Sequence, residues 1–316
     1  MTIATSHAPF RNEFQSAPTG YFHPQYAESL AEYGTPRHLS ASGGWLLIRD
    51  IPATAYQDAM SPYPLLCCRD WRLLADDLRE LGSDVVSVTV VADPAGDYRE
   101  SDLTKAFDRV SPFKSHFMLD TEPLWERTIS KNHKIHARRA LRDVQVDLIE
   151  RPLDFLDEWV SLYSTLTRRH GITGIRAFSR QAFAAQLAVP GMTMFRATHN
   201  GEPVGMDLWY LQGDVAQSHL LAFSELGYQL HASYAARWIS LQYFADKVRY
   251  INMGGAAGPD SEGSANGLAR FKKGWSNMTR MAYLCGKVMD PPAYANLAKQ
   301  AVDSSFFPAY RAGEYG

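Results

Sequence analysis

Residues 192–252 carry the pattern that most restricts the fold of this chain. Three apolar segments lie at 192–198, 204–211 and 215–223. Asn200-Gly201 separates the first two and Gly213-Asp214 the last two, and Asn-Gly favours a type I′ hairpin turn. The segments are therefore predicted to form an antiparallel meander. A helix with an alanine-rich face follows at 232–243, and a strand at 248–252 completes the order β-β-β-α-β.

The first half of the chain predicts a mixed α/β unit with an irregular beginning. Residues 1–40 are rich in Pro, Ser, His and Tyr without a sustained period, which predicts an irregular arm. Between Asp70, a candidate N-cap, and Gly82, a stop signal, five apolar side chains share one helical face. Strands are predicted at 45–49, 85–91 and 115–119, and helices at 103–107, 155–166 and 180–187.

Composition limits the possible functions. With 316 residues and 46% hydrophobic content, the chain can bury one large core or two linked cores, and two domains are predicted. The formal charge of -2 excludes bulk attraction to nucleic acid, so a polyanion would need a local basic patch. The chain has no run of about 18 apolar residues and no signal-peptide pattern, which predicts a cytoplasmic protein. The cysteines, Cys67, Cys68 and Cys285, are predicted to be reduced packing residues.

A glycine-rich turn follows the last strand of the β-β-β-α-β pattern. Residues 252–275 read NMGGAAGPDSEGSANGLARFKKGW. Glycines there allow the backbone to pass close to a ligand, although neither a G-x-G-x-x-G nor a Walker pattern is present. Taken alone, the segment is typical of a strand-to-helix turn.

The order of short motifs in this turn resembles the C-terminal signature of one acyltransferase group. The matching pairs are Gly254-Gly255, Gly267-Leu268, Phe271-Lys272 and Gly274-Trp275. SPYP preceded by Asp58, the basic helix KNHKIHARRALRD, RRHG and NGEPVG also fall where that group carries similar segments. The chain thus resembles the FemABX-like branch of the GNAT superfamily over roughly residues 45–290.

The resemblance implies a mixed α/β fold with tandem GNAT-like domains, each a mostly antiparallel sheet flanked by helices. The predicted division is an irregular arm at 1–40, an N-terminal GNAT-like domain at 41–145, a C-terminal GNAT-like domain with the Phe-Lys motif at 146–295, and a tail at 296–316. The β-β-β-α-β order is the core of such a domain.

The resemblance also implies amide-bond formation, in which an amine attacks an activated carbonyl. The chain has no G-x-S-x-G elbow and no Cys-His arrangement singled out by spacing, which favours direct attack over a covalent acyl-enzyme. The segment SELGYQLHASYAARW lacks the glycine pattern that cradles the pyrophosphate of CoA, so aminoacyl-tRNA is the favoured donor. No permanently bound cofactor is expected, and the acceptor is a peptide or small-molecule amine.

Two other functions remain open at this stage. One is an acyl-CoA-dependent N-acyltransferase that binds its donor differently. The other is a non-catalytic module in which Tyr63, Trp209 and Tyr228 form a small-molecule pocket. The sequence leaves open the transferred group, the acceptor, the general base and the oligomeric state.

Two residues are candidates for catalysis. The family's lysine after the phenylalanine lies near the reacting carbonyl, which implies that Lys272 stabilises the oxyanion; the alternative is a solvated helix end with Lys273. Asp207 shares a strand face with Gly205 and Trp209 and could accept a proton from the amine. The alternatives for Asp207 are a solvent-facing acid and an acid paired with an arginine.

Further residues are predicted to line the substrate site. His219 and His231 are expected to flank the same cleft, although a lone histidine more often packs or forms a hydrogen bond. The substrate-binding candidates are Phe271, Gly254, Gly255, Tyr63, Arg168, Arg169, Trp209, His219, Tyr228 and His231.

The basic helix is the strongest electrostatic feature. Cationic side chains at three- and four-residue spacing line one face and could bind the phosphates of tRNA or of a nucleotide-linked acceptor; they are Lys131, Lys134, Arg138, Arg139 and Arg142. A solvated face, a helix contact or an acidic partner segment would explain them equally well. Arg168 and Arg169 could belong to the same basic lining. His133 and His136 lie at i, i+3 without a third ligand, so no metal site is predicted.

Overall fold

The protein is described by a computed structural model over residues 17–255, 264–299 and 306–312. One sheet of eleven strands, in the order β1-β2-β3-β4-β11-β5-β10-β9-β8-β7-β6, runs through these residues. The strands are β1 (Thr35–Leu39), β2 (Gly44–Asp50), β3 (Gln57–Met60), β4 (Ser87–Val91), β5 (Arg109–Asp120), β6 (Gln145–Ile149), β7 (Met192–His199), β8 (Glu202–Gln212), β9 (Val215–Phe223), β10 (Tyr250–Gly255) and β11 (Met278–Val288).

Helices cover both faces of this sheet. They are α1 (Pro24–Glu28), α2 (Leu74–Leu81), α3 (Glu100–Ala106), α4 (Lys131–Ala140), α5 (Leu156–His170), α6 (Arg180–Leu187), α7 (Glu225–Gln229), α8 (Ala232–Ala245), α9 (Ser264–Gly274) and α10 (Pro291–Ala298). Within the described ranges, none of them combines the length and hydropathy needed to cross a bilayer.

The predicted meander is confirmed. β7, β8 and β9 pair antiparallel in sequence, and Asn200 and Gly201 both have the positive φ of a type I′ turn. α8 then returns the chain to β10, which pairs parallel to β9. The loop expected around Tyr228 is instead the short helix α7, because the side chain of Ser224 caps it by accepting from the backbone N–H of Gly227.

The prediction that residues 1–40 form an irregular arm is wrong for residues 17–40, which are the part of this segment that the structure describes. Residues 24–28 form α1, and residues 35–39 form β1 at the edge of the sheet. Tyr21, Tyr26 and Leu30 are buried in a core cluster, so this segment is integral to the fold. Its elements are too short to show a hydrophobic period, which is why the sequence pattern misses them. Residues 1–16 lie outside the described residues.

Besides β1, three of the described strands have no counterpart among the predicted elements: β3, β6 and β11. The most consequential is β11, which lies between β4 and β5 and pairs antiparallel with both. A strand from the end of the chain is therefore inserted into the sheet of the first half. The division at residues 41, 146 and 296 stays a prediction.

The two faces of the sheet bury different cores. On one face, here called the α5 face, α1, α5 and α6 pack over a cluster that includes Leu208 and Tyr210 and reaches Leu47 in the first half. On the opposite face, here called the α8 face, α4 and α8 pack over clusters that include Trp209 and Ile251. Adjacent residues of β8 alternate between the two cores, as the pleat of a strand requires.

Candidate active site

β9 and β10 separate part-way along their length. Their parallel pairing joins Tyr250, Ile251 and Asn252 to residues 215–217 and goes no further. Just beyond it, the register between β8 and β9 shifts at His219, which is left without a partner on β8. Such a bulge bends the strand that carries it. We call the wedge between the diverging C-terminal parts of the two strands the β9–β10 opening.

The glycine pair ends β10 at this opening. Gly254 has φ of +76°, a conformation that a side chain would strain, and its N–H donates to Asn252 Oδ1 at 2.9 Å. The carbonyl of Gly255 accepts a 2.6 Å hydrogen bond from Lys272 Nζ. The Phe-Lys motif on α9 is thereby fastened to the end of β10.

Lys272 lies in a partly desolvated and positively charged setting. Burial, together with the nearby charges of Arg237 and Lys114, lowers the pKa of its ammonium group to about 7. Among the described residues it forms no ion pair with a carboxylate. A cation without an anionic partner at an open strand end is suited to a ligand that carries or develops negative charge.

Asp207 is held in a buried ion pair on the α8 face. Its Oδ1 accepts from Arg237 at 3.4 Å, and both side chains are 2% exposed. Arg237 also donates to Ser218 Oγ at 3.3 Å and stacks on Trp209, 4.4 Å from the ring centroid. Burial raises the pKa of Asp207, which Arg237 opposes. This arrangement matches the arginine-paired alternative left open by the sequence, and Trp209 is a core residue.

A chain of buried polar groups crosses the α5 face beside the opening. His116 Nδ1 lies 3.1 Å from Asn252 Oδ1, and Asn252 Nδ2 donates to Gln217 Oε1 at 2.8 Å. Gln217 Nε2 donates in turn to Asp93 Oδ2 at 2.9 Å. Asp93 also accepts from the backbone N–H of Ala95 and from Cys67 Sγ. Sequence reasoning missed this chain, although Gln217 and Asn252 are polar residues inside otherwise apolar strands.

Phe271 packs in an aromatic cluster on the α8 face. Its ring centroid is 5.0 Å from that of Tyr234, and its carbonyl oxygen accepts from His133 Nε2 at 3.0 Å. His133 also fills the space beside Gly274, where an added Cβ would lie 2.2 Å from the imidazole. The motif glycine at 274 thus permits α4 and α9 to approach closely, and Phe271 orients Lys272 by packing.

Comparison with known proteins agrees with this geometry. Residues 128–273 match the family model described as an Acetyltransferase (GNAT) domain. The crystal structure of FemX superposes with a TM-score of 0.66 at 13% identity, over 89% of this chain and 96% of FemX. Residues 128–273 thus carry a GNAT acetyltransferase domain, and the chain shares the fold of FemX. The resemblance, the mixed α/β fold class and the assignment as an acyltransferase are thereby confirmed.

Two other solved structures share the fold of this protein. The C-terminal domain of a putative lysylphosphatidylglycerol synthetase from Agrobacterium fabrum has a TM-score of 0.59 at 13% identity, covering 85% of this chain and 88% of that one. L-PGS from Bacillus licheniformis has a TM-score of 0.56 at 14% identity, covering 88% and 95%. No curated protein matches the chain in sequence.

His219 and Tyr63 do not lie on the face of the sheet to which α9 belongs. His219 is buried on the α5 face, where it contacts the hydroxyl of Tyr21 and Gln186 Oε1, each at 3.1 Å. Burial lowers its pKa to about 3. Tyr63 packs on the same core, 5.9 Å from the ring of Phe178. The expectation that His219 and His231 flank one cleft is therefore wrong, because the alternation along β9 that places Ser218 beside Arg237 on the α8 face places His219 on the α5 face.

His231 and Tyr228 follow the C-terminal end of β9. His231 is exposed, has φ of +55° and precedes α8, with its ring 4.9 Å from that of His136. Tyr228 is 37% exposed, and the guanidinium of Arg169 lies 4.9 Å from its ring centroid. Because β9 and β10 run parallel, these residues stand at the same edge of the sheet as the opening.

The basic residues do not form a single lining. α4 lies on the α8 face, whereas Arg168 and Arg169 end α5 on the α5 face, so the sheet separates them. Arg169 is paired with Glu225 at 3.1 Å. On the basic helix, Lys134 donates to the carbonyl of Glu126. Lys131, Arg138, Arg139 and Arg142 are exposed, and none of them is ion-paired within the described part of the chain.

The three cysteines of the protein are free and buried. Burial raises the pKa of each thiol, that of Cys285 to about 12, so none is prepared to act as a thiolate nucleophile. Within the described residues, no three His, Cys, Asp or Glu side chains are grouped as metal ligands.

Proposed function

We propose that this protein forms amide bonds by moving an aminoacyl group from aminoacyl-tRNA to the amine of a peptide or small molecule. The amine attacks the ester carbonyl directly, and no covalent enzyme intermediate forms. The observation that carries the proposal is the position of Lys272, whose ammonium group lies at the β9–β10 opening, donates to the carbonyl of Gly255 and forms no ion pair with a carboxylate of the described residues. A positive group placed where the oxyanion develops is the main requirement of aminolysis.

Two features support an aminoacyl donor over acyl-CoA. In the segment between β9 and α8, backbone N–H groups that could hold a pyrophosphate are engaged inside the protein. Gly227 donates to Ser224 Oγ, and Tyr228 and Leu230 donate within α7. One relative of similar fold is named a lysylphosphatidylglycerol synthetase, which associates this architecture with an aminoacyl product.

The basic helix α4 provides a surface for the tRNA. Three cations of α4, Lys131, Arg138 and Arg139, are exposed, and a fourth, Arg142, follows its end; α4 packs on the α8 face, as α9 does. Arginine suits this role because its planar fork matches phosphate oxygens. The phosphates of the acceptor stem would contact this helix while its esterified 3′ end enters the opening.

Filter binding tests the donor. Purified protein is mixed with a pool of labelled aminoacyl-tRNAs, and uncharged tRNA or acetyl-CoA is added as competitor. We expect retention of a charged subset that resists acetyl-CoA, which would also identify the amino acid. Binding of acetyl-CoA without retention of any charged tRNA would instead assign the protein to acyl-CoA-dependent N-acyltransfer.

Substitution of Lys272 tests the chemistry. Lys272→Met keeps the length of the side chain and removes the charge, and we expect turnover to fall by about 100-fold or more, the loss typical of one oxyanion donor. The matched control is Lys273→Met, because Lys273 is the exposed neighbour in the same helix. Equal turnover of both variants and the wild type would exclude the role of Lys272.

A further inference from the structure

The polar chain on the α5 face has only one consistent direction. Gly254 N–H is obliged to donate, so Asn252 must present Oδ1 to it and Nδ2 to Gln217. Gln217 must then present Nε2 to Asp93, whose carboxylate accepts. Both ends of the chain therefore demand the same orientation of the two amides.

This direction fixes the tautomer of His116. Asn252 Oδ1 is an acceptor, so the His116 nitrogen that faces it, Nδ1, must carry the proton. The other nitrogen, Nε2, is left with a lone pair. Within the described residues, Nε2 forms no hydrogen bond. The imidazole is thus a neutral base: its Nδ1–H donates to Asn252, and its Nε2 can accept a proton.

His116 lies at the strand end to which Lys272 is fastened. It is the register partner of Gly255, and its Cδ2, the ring atom next to Nε2, would lie 3.3 Å from a Cβ built on that glycine. The carbonyl of the same glycine accepts from Lys272 Nζ. His116 and Lys272 therefore meet at one residue, Gly255.

We propose that His116 accepts the proton of the attacking amine and that the chain Asp93–Gln217–Asn252 positions it for this step. This inference rests on the proposed amide-forming function and names its proton acceptor. Asp93, Gln217 and Asn252 are positioning residues, because they act through His116.

The step balances as follows. The amine nitrogen forms a C–N bond to the carbonyl carbon, and the carbonyl oxygen becomes the oxyanion beside Lys272. Nε2 of His116 takes a proton from the new ammonium group. The C–O bond to the ribose then breaks, and His116 returns that proton to the departing oxygen, so the products are the amide and uncharged tRNA.

The charges around His116 are consistent with this cycle. Burial, reinforced by the charges of Lys272 and Lys114 and opposed by the hydrogen bond to Asn252, lowers the pKa of His116 to about 4. The imidazole is therefore neutral and ready to accept. An oxyanion beside Lys272 would offset the two lysines and strengthen the base as the proton is transferred.

A kinetic test uses two variants. His116→Asn keeps an amide donor where Nδ1 faces Asn252 but removes Nε2, and we expect kcat to fall by about 100- to 10,000-fold while the melting temperature changes little. The control is His38→Asn, an exposed histidine on β1. His116→Ala should regain activity with added imidazoles, at rates that rise with the pKa of the imidazole. A rescue that ignores imidazole pKa, or full activity of His116→Asn, would overturn the proposal.

Asn252→Asp tests the positioning chain. A carboxylate against Nδ1–H raises the pKa of His116, so the ascending limb of the kcat profile should move to higher pH. The other charged groups that face His116 are Lys114, Lys272, Arg280 across β11, and Asp93 at the far end of the chain, and none of them is altered. If the ascending limb of the kcat profile does not move, the Asp93–Gln217–Asn252 hydrogen-bond chain has only a structural role.

A measurement without substrate separates this inference from the proposed function. The nitrogen chemical shifts of the wild-type histidines, with His116→Asn used for assignment, report the tautomer in the free protein. We expect His116 to be protonated at Nδ1 and bare at Nε2, and protonation at Nε2 would overturn the proposal whatever the reaction. If the tautomer is as expected and no aminoacyl donor reacts with the wild type, the proposed function fails independently, and acyl-CoA serves as donor for the same variants.

Discussion

The sheet contains two parallel strand pairs, and only one of them opens. β3 and β4 pair in parallel through Ala59 and Met60, in the first half of the chain. β9 and β10 pair in parallel in the second half. After β3 the chain stays beside β4, since Ser61 N–H donates to the carbonyl of Thr89 and Leu66 N–H to that of Val91. After Asn252 the corresponding strand turns away from β9.

The difference between the two parallel pairs follows from the residues that come after each pair in the sequence. The first pair is continued by apolar residues, Leu65, Leu66 and Cys67, which are buried in the cores and fill the space between the strands. The second pair is followed by two glycines and by Lys272, whose charge cannot be buried in the same way. Two halves of similar topology therefore yield one packed wedge and one chemical site.

The largest expected effect tests the structural role of the packed region at the β3–β4 pair. Asp58 on β3 accepts from Arg49 at 3.2 Å and from Arg311 at 2.8 Å, and all three side chains are buried. Asp58→Asn leaves two buried arginines without their carboxylate, and we expect a loss of about 3–5 kcal/mol in unfolding free energy. Urea unfolding measures this loss. Turnover per folded molecule should be unchanged, and a selective loss of turnover would contradict the division of roles.

The second prediction concerns the pH dependence of stability that Lys272 causes at the β9–β10 opening. The pKa of Lys272 is about 7 in the folded protein and about 10.4 when unfolded, so between these values the unfolded chain binds more protons. Stability should therefore rise with pH across this interval, by up to about 1.4 kcal/mol per pH unit from this group. Urea unfolding at pH 6.5 and 9.5 measures the rise, and Lys272→Met should lack it. An equal rise in that variant would show that Lys272 is not desolvated.

A smaller effect is expected at Gly254, where a substitution should lower both stability, through backbone strain, and turnover. Gly254→Ala strains a positive φ, costing about 1–2 kcal/mol, and places a Cβ 3.2 Å from Lys272 Nζ. Gly201→Ala is the matched control, since Gly201 also has positive φ and nothing lies within 4 Å of an added Cβ. We expect similar losses of stability by thermal unfolding, with turnover reduced in Gly254→Ala alone. Equal turnover would mean that Lys272 tolerates displacement.

Local patterns in the sequence predict the second half of this fold well. Asn200-Gly201 and the helical stripes suffice because hairpins and amphipathic helices are specified by neighbours in sequence. The inserted strand β11 and the buried segment around Tyr21 pack against residues far away in the sequence. The hydrophobic pattern of their own residues therefore does not predict them. For the same reason, Lys272 was found through a motif, whereas His116 becomes a candidate only once Asn252 and Gln217 are seen beside it.

The smallest expected effect concerns the basic helix α4. Arg138 and Arg142 are exposed and unpaired among the described residues, so they are free to contact phosphates. In Arg138→Gln with Arg142→Gln, the slope of log affinity for aminoacyl-tRNA against log salt should become shallower by about 0.7–0.9 for each lost contact. Lys105→Gln on α3, in the half with the packed wedge, is the control and should leave the slope unchanged. An unchanged slope in the double variant would assign α4 to solvent and require another surface for the tRNA, because a charge that contacts no phosphate releases no counterion on binding.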